Sequence, residues 1–139
     1  MTAYAAVMLA TASFVIDTWE EHPLGDGATK ISRVRATKTF DGDLVGTSTI
    51  DFLTATTAVE TSRAYVGFER FAGQVHGRAG SLVLQHTAVA TADRQTLELT
   101  IVPDSGTDEL AGVEGTGTIT IDSAGGHTIT LDYTLRPSR

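Results

Sequence analysis

The chain has 139 residues, of which 41% are hydrophobic and 19% charged, with a formal net charge of −7. This length suits one domain with its own core, so we expect a single domain over residues 1–139. The sequence contains no cluster of Lys or Arg, which argues against nucleic acid or an anionic membrane as a partner. It contains no Cys, which excludes disulfides, thiolate zinc sites and a Cys nucleophile.

The N-terminal stretch MTAYAAVMLATA is apolar and ends in an Ala-x-Ala-like pattern, as export signals do. No basic residue precedes Lys30, however, and export signals carry a basic region before the apolar one. We therefore expect a cytoplasmic protein. No apolar run approaches the roughly 20 residues that a membrane-spanning helix needs.

Alternating apolar and polar residues predict strands along nearly the whole chain. The predicted strands cover residues 11–20, 30–40, 44–53, 64–71, 73–77, 81–90, 96–102, 115–122 and 127–135. Turn sequences separate them, for example HPLGDG at 22–27, DGD at 41–43 and AGG at 124–126. About eight antiparallel strands of this kind form a closed barrel or a sandwich, because a flat sheet would leave long exposed edges. We favour the barrel.

One segment, PDSGTDELAG at Pro103–Gly112, does not have the pattern of a strand. Ser105 or Thr107 can cap a short helical turn here, with acidic residues in its first turn and Gly112 positioned to end it. We expect one short helical turn at a corner between strands. Its backbone amides could hold an anion, but capping is the commoner use of such groups.

Four stretches resemble successive motifs of a bacterial family known as domain of unknown function 3224: TFDGDLVGTSTIDFL, YVGFERFAGQVHGRAGSLVLQHTA, VPDSGTDELAGVEGTG and HTITLDYTL. The opening SFVIDTWEEHPL is similar to that family's first strand. The resemblance covers roughly residues 11–135, and Ala88 departs from it where relatives often have Gly. It implies an all-β, eight-stranded antiparallel barrel like that of allene oxide cyclase, related in shape to the calycins. It implies no reaction.

The alternation of side chains along a strand indicates which residues face the barrel interior. His86 has the same parity as Leu84, and Tyr133 has the same parity as Ile129 and Leu131, so we expect both polar residues to point inward. The carboxylates of Asp51 and Glu98 have the opposite parity to their apolar neighbours, so solvent exposure is expected for both.

The pattern of the strand YVGFERF does not decide which of its two faces points inward. Tyr65, Glu69 and Phe71 share one face, whereas Val66, Phe68 and Arg70 share the other. If the first face is internal, Glu69 is a buried carboxylate that must be paired or have a raised pKa, and it becomes a candidate general acid or base. Otherwise Glu69 belongs to a surface network with Arg70 or Arg33.

From these faces we take His86, Glu69 and Tyr133 as candidate catalytic residues and Trp19, Tyr65, Phe71 and Leu84 as candidate ligand-binding residues. His86 has an alternative role in the core, with one ring nitrogen bonded to a backbone carbonyl or to Tyr133. Trp19, near the end of the first strand, suits either the wall of a barrel mouth or a cover over the core.

The remaining motifs argue against several classes of site. The four His residues lie far apart in sequence, none with a second ligand at helical or strand spacing, so we expect no metal. No Gly-x-Ser-x-Gly elbow, dinucleotide-binding fingerprint or Walker loop is present. We expect no cofactor.

Eight-stranded barrels can enclose one small ligand. We therefore expect a barrel that binds an apolar small molecule and that acts as a cofactor-independent cyclase or isomerase. In this role His86 or Glu69 would move a proton while Tyr133 or Tyr65 stabilises an oxyanion. The alternatives are a non-catalytic carrier or sensor of an apolar ligand, and a filled barrel acting in protein assembly. A homo-oligomer fits any of these, but no stripe in the sequence marks its interface.

Overall fold

In the computed structural model, which describes residues 6–136, the chain forms a closed antiparallel barrel of eight strands in sequential order. The expected all-β barrel is therefore confirmed. The strands are β1 Met8–Pro23, β2 Lys30–Gly42, β3 Leu44–Thr56, β4 Arg63–Val75, β5 Arg78–Ala90, β6 Gln95–Ile101, β7 Val113–Ile121 and β8 His127–Leu135. Strand β8 pairs with β1 and closes the barrel.

One end of the barrel is closed by the segment between β6 and β7. It contains a 3₁₀ turn, Asp108–Leu110, which places the fully buried side chain of Leu110 in the main core. Thr107 precedes the turn but makes no side-chain cap; its hydroxyl accepts a hydrogen bond from the Ser81 backbone N–H at 3.0 Å. The short turn was predicted correctly, and its polar side chains attach it to β5 instead of capping it.

The other end of the barrel is open, because β1 continues beyond the point at which β8 begins. Phe14 is the last β1 residue paired with β8, whereas β1 remains paired with β2 as far as Pro23. Strands β6 and β7 share only the pairs Leu99–Gly117 and Thr100–Thr116, and from these pairs the two strands separate towards the open end. We refer to this end, formed by the overhanging halves of β1 to β5, as the open end.

The core has two parts. The larger part fills the closed end and includes Phe14, Phe40, Phe71 and Tyr133. The smaller part lies towards the open end and consists of Val34, Ala36, Ile50 and Phe52, with Tyr65 packed against it. Apolar residues thus fill both regions, and the buried polar side chains described below are found on the same inward faces.

No helix in the described part of the chain is long and apolar enough to cross a membrane. Residues 1–5, which belong to the N-terminal stretch weighed above as an export signal, lie outside the described residues.

Candidate functional site

The inward face of β4 carries Tyr65, Glu69 and Phe71. Glu69 and Phe71 are buried, whereas Val66, Phe68 and Arg70 are exposed on the outer face. This resolves the ambiguity that the sequence left, and it makes Glu69 a carboxylate with no solvent exposure. A buried carboxylate is stable only when other groups supply hydrogen bonds and opposite charge.

Three side chains from three different strands surround the Glu69 carboxylate. Oε1 accepts hydrogen bonds from His86 Nε2 at 2.7 Å and from Lys38 Nζ at 3.2 Å. Oε2 accepts one from Ser48 Oγ at 2.5 Å. All three partners are at most 6% exposed. We call Lys38, Ser48, Glu69 and His86 the buried polar cluster.

Strand register explains how these residues meet. Lys38 on β2 lies opposite Ser48 on β3, and Ser48 lies opposite Phe71 on β4, two residues along from Glu69. On the other side of β4, Gly67 lies opposite His86. Residues paired across adjacent strands share a face of the sheet, as do residues two apart on one strand, so all four polar side chains project into the barrel.

Lys38 supplies the positive charge of the cluster. Its ammonium group lies 4.6 Å from the centre of the Phe14 ring, an arrangement that favours a cation. Glu69 Oε1 is its only hydrogen-bond acceptor among residues 6–136. Since an ammonium group has three N–H donors, Lys38 retains donor capacity towards the barrel interior.

The surroundings of Glu69 keep it ionised. Burial by itself raises the pKa of this carboxyl, but the hydrogen bond from His86 and the positive charge of Lys38 outweigh burial, and the pKa falls to about 2. A carboxylate held in this state is a weak proton acceptor near neutral pH. It is better suited to orienting its neighbours than to moving a proton itself.

The hydrogen bond to Glu69 also determines how the His86 ring is used. Because the carboxylate can only accept, Nε2 must carry hydrogen, and the neutral ring then has a lone pair at Nδ1. Nδ1 lies 3.4 Å from the Tyr65 hydroxyl. Burial, followed by the nearby Glu69 charge, raises the pKa of Tyr65 to about 12, so the phenol stays protonated and can donate.

A row of aromatic rings leads from this pair to the open end. Tyr65 packs against Phe52 with ring centroids 5.3 Å apart, and Trp19 stands edge-on to Phe52 at 5.4 Å. Trp19 is 52% exposed, whereas Phe52 is 8% exposed. The rings therefore form a wall that extends from solvent to the buried imidazole.

A β-bulge aims Trp19 at this wall. The register between β1 and β2 shifts between Ile16 and Thr18, and beyond the shift Trp19 lies opposite the buried Ala36. A bulge inserts one residue and so exchanges the two faces of a strand. Without the shift, the indole would have the parity of the outward-facing Val15.

The other predicted site residues belong to the main core. Phe71 and Leu84 are each 1% exposed and belong to the main core, where Phe71 stands edge-on to Phe40 at 5.4 Å. Tyr133 points inward, but at the closed end, where its hydroxyl lies 2.5 Å from His76 Nδ1. The structure thus brings Glu69, His86, Tyr65 and Trp19 into one region, places Phe71 and Leu84 in the main core beside the buried polar cluster, and leaves Tyr133 at the closed end.

Lys38 and Ser48 were missed by the sequence analysis. Both were accessible to the parity argument, because Lys38 alternates with Val34, Ala36 and Phe40, and Ser48 alternates with Ile50. Among residues 6–136, no group of three or more His, Asp or Glu side chains could hold a metal ion.

The fold and this site define a class: a closed antiparallel barrel with a buried polar cluster below an aromatic wall. The model of the family described as "Protein of unknown function (DUF3224)" matches residues 10–133, and the chain belongs to that family. The chain is also similar to a crystallised DUF3224 protein of unknown function from Shewanella oneidensis MR-1. The two share 34% sequence identity and a TM-score of 0.82 over 95% of this chain and all of that one. No curated protein matches the chain.

Proposed function

We propose that the barrel binds an apolar small molecule at its open end and catalyses a cofactor-independent isomerisation or cyclisation of that molecule. The observation that carries this proposal is the buried chain of contacts Lys38–Glu69–His86–Tyr65, which ends at the aromatic wall. A structural ion pair needs only Lys38 and Glu69. The imidazole and the phenol beyond it are groups suited to proton transfer and to binding an oxygen atom.

The expected ligand has an apolar body and a carbonyl oxygen. Trp19, Phe52 and Tyr65 offer aromatic surface to the body. The Tyr65 hydroxyl can donate a hydrogen bond to the oxygen. Lys38 also has N–H donors that Glu69 does not use. A ligand with this composition matches sites that combine mostly apolar walls with a few placed polar groups.

In the proposed step, His86 Nδ1 takes a proton from the carbon next to the carbonyl group. The electron pair of the broken C–H bond forms a C=C bond while the π pair of the carbonyl group moves onto its oxygen, and the Tyr65 hydroxyl stabilises the resulting oxyanion by a hydrogen bond. The imidazolium, held by Glu69, then returns the proton at the same carbon or at a conjugated one. Glu69 is here a positioning residue, with the same relation to His86 that the carboxylate has in a catalytic triad.

A second function, carriage or sensing of the same ligand, is favoured by one feature. The Glu69 carboxylate already accepts hydrogen bonds from three side chains and has a pKa of about 2. A carboxylate held by three donors in this way can serve simply to keep a polar floor in place. Binding without proton transfer requires nothing more from the cluster.

Two measurements distinguish the functions. Trp19 is the only Trp in the chain, so its fluorescence reports titration with a series of hydrophobic ketones and with the corresponding hydrocarbons. Proton transfer is followed by NMR as deuterium exchange at the carbon next to the ketone carbonyl in D₂O. We expect the ketones to bind, and exchange to be lost in His86→Gln but kept in His22→Gln, a substitution at an exposed His. Binding without exchange supports the carrier, and absence of both overturns the two proposals.

A further inference from the structure

An apolar patch lies on the outer face of β3 and β4, behind the buried polar cluster. Its three large side chains are Leu53, Val66 and Phe68, which are 44%, 51% and 54% exposed. They border a surface depression of about 450 Å³, whose lining also includes Gly67. Contiguous exposed apolar surface on a soluble domain marks an interaction site more often than isolated apolar residues do.

The depression gives this wall a shape that can receive another surface. Its lining extends from Arg33 on β2 across β3 and β4 to Thr87 on β5. A barrel wall is ordinarily convex, and a convex wall makes only a narrow contact with a flat or convex partner. An indentation spanning four strands allows a wider contact.

Charges are arranged symmetrically about this patch. Strand register places Arg33, Leu53, Val66, Thr87 and Glu98 in one row across β2 to β6. Val66 is at the centre, and the Arg and the Glu lie two strands away on either side, about 10 Å from the centre at the usual strand spacing. The row is therefore positive at one end, apolar in the middle and negative at the other end.

Neither end of the row is neutralised by the part of the chain that the structure describes. Among residues 6–136, Arg33 and Glu98 form no salt bridge, and both are exposed. In the adjacent row, by contrast, Arg35 already binds Asp51 through a contact of 2.7 Å. Arg33 and Glu98 thus flank the apolar patch itself, and the exposed Arg70 lies beyond Phe68 on the outer face of β4.

We propose that this face is the interface of a homodimer, with a two-fold axis that passes over Val66 parallel to β4. Such an axis exchanges the two ends of the row. Arg33 of one copy then meets Glu98 of the second copy, and the reverse contact follows from symmetry. Val66 and Phe68 pack on their own equivalents, which removes the apolar patch from water.

Charge complementarity favours a second copy over other occupants. An anionic partner would leave Glu98 facing like charge, and a cationic partner would do the same to Arg33. A surface with both charges in the same arrangement, reversed by the two-fold axis, satisfies both. The second copy of this chain provides that surface.

Sedimentation equilibrium over a range of concentrations tests the proposal without any ligand. We expect a concentration-dependent dimer of the 14.6 kDa chain. Each of Arg33→Glu and Glu98→Arg should raise the dissociation constant at least about tenfold, because it places like charges face to face. The double variant should restore dimerisation, and this restoration distinguishes the interface from a general effect on folding.

Two further variants fix the location. Phe68→Ser should weaken the dimer, whereas Asp132→Arg, an exposed charge reversal on β8 and four strands from β4 in the barrel, should not. A wild-type chain that is monomeric at millimolar concentration overturns the proposal. So does a dimer that tolerates both single charge reversals, or a double variant no stronger than the singles.

Discussion

His86 Nε2 and Glu69 Oε1 lie 2.7 Å apart in the middle of the barrel, and both side chains are almost fully buried. The imidazole is thereby held by a carboxylate that is itself held by Lys38 and Ser48. A group fixed in this way loses rotational freedom before any ligand arrives. The contact makes the cluster an ordered site, with its properties determined jointly by its members.

The Lys38–Glu69 pair should show strong coupling in stability measurements. Glu69→Gln leaves a buried ammonium without its counter-charge, and Lys38→Met leaves the carboxylate with fewer donors. Each should lower the free energy of unfolding by about 3 kcal/mol. The double variant should cost much less than the sum, since it removes both charges and leaves neither ion buried without its partner.

Urea unfolding of the four proteins in this cycle measures the coupling. Glu60→Gln, at an exposed turn position, is the matched control and should change stability by less than about 0.5 kcal/mol. Additive effects of Lys38→Met and Glu69→Gln would show that the pair does not stabilise the fold through its charges.

Acid should destabilise the protein through Glu69. Its pKa is about 2 in the folded state against the ordinary value of 4.5, so the unfolded chain binds the proton more readily. The stabilisation is then complete above pH 4.5 and is lost as the pH falls towards 2. Wild type should therefore lose more stability than Glu69→Gln over this interval.

Unfolding free energies measured from pH 6 to pH 2 test this difference. Other carboxylates titrate in both proteins, so only the gap in unfolding free energy between wild type and Glu69→Gln reports the titration of Glu69. We expect the gap to narrow steadily as the pH drops below 4.5. A constant gap would mean that Glu69 has the same pKa in the folded and unfolded states.

Gly67 should be intolerant of any side chain. A Cβ at this position would lie 2.3 Å from Phe52 Cβ and 2.4 Å from the Asp51 carbonyl oxygen. Two strands would have to separate beside the aromatic wall. Gly67→Ala should therefore cost about 2 kcal/mol or more.

Gly27→Ala is the control for Gly67→Ala, because its nearest contact, with the Thr29 carbonyl oxygen, is an ordinary 3.4 Å. Thermal unfolding monitored by circular dichroism compares the two variants. Equal melting temperatures would indicate that β3 and β4 can adjust at Gly67 without cost.

The barrel was predictable because its strands alternate so regularly. Closure and most strand positions follow from period-two patterns and short turns, and the faces of His86 and Tyr133 follow from the same patterns. The separate strand predicted at 73–77 is instead the end of β4 and the turn that leads to β5. The inward face of β4 did not follow from its pattern, because Val66 and Phe68 give its outer face as much apolar character as Tyr65 and Phe71 give its inner face. Only the complete register decides between them.

The composition of the site was harder to predict than its faces. Parity alone puts Lys38 inside, but a lone inward Lys does not indicate a polar site until Glu69 is known to lie two strands away. The position of Trp19 depends on the bulge between Ile16 and Thr18, which no Gly or Pro announces. Contacts across strands and local irregularities are set by the packing of the whole barrel.

The two inward-facing Tyr residues should have separable roles. Tyr65 lies beside His86 at the aromatic wall, whereas Tyr133 binds His76 at the closed end. Tyr65→Phe removes the proposed oxyanion donor and should slow ketone deuterium exchange about 100-fold. Tyr133→Phe removes one hydrogen bond and should cost about 1 kcal/mol of stability without changing exchange.

Each Tyr variant serves as the control for the other, since both remove one hydroxyl and keep the ring. Because the pKa of Tyr65 is about 12, the phenol remains a donor, and the difference in exchange rate between wild type and Tyr65→Phe should persist up to about pH 11. Ketone affinity from Trp19 fluorescence separates lost binding from lost proton transfer. If Tyr133→Phe reduced exchange as much as Tyr65→Phe, the reacting group of the ligand would have to lie at the closed end, and the assignment of the site to the open end would fail.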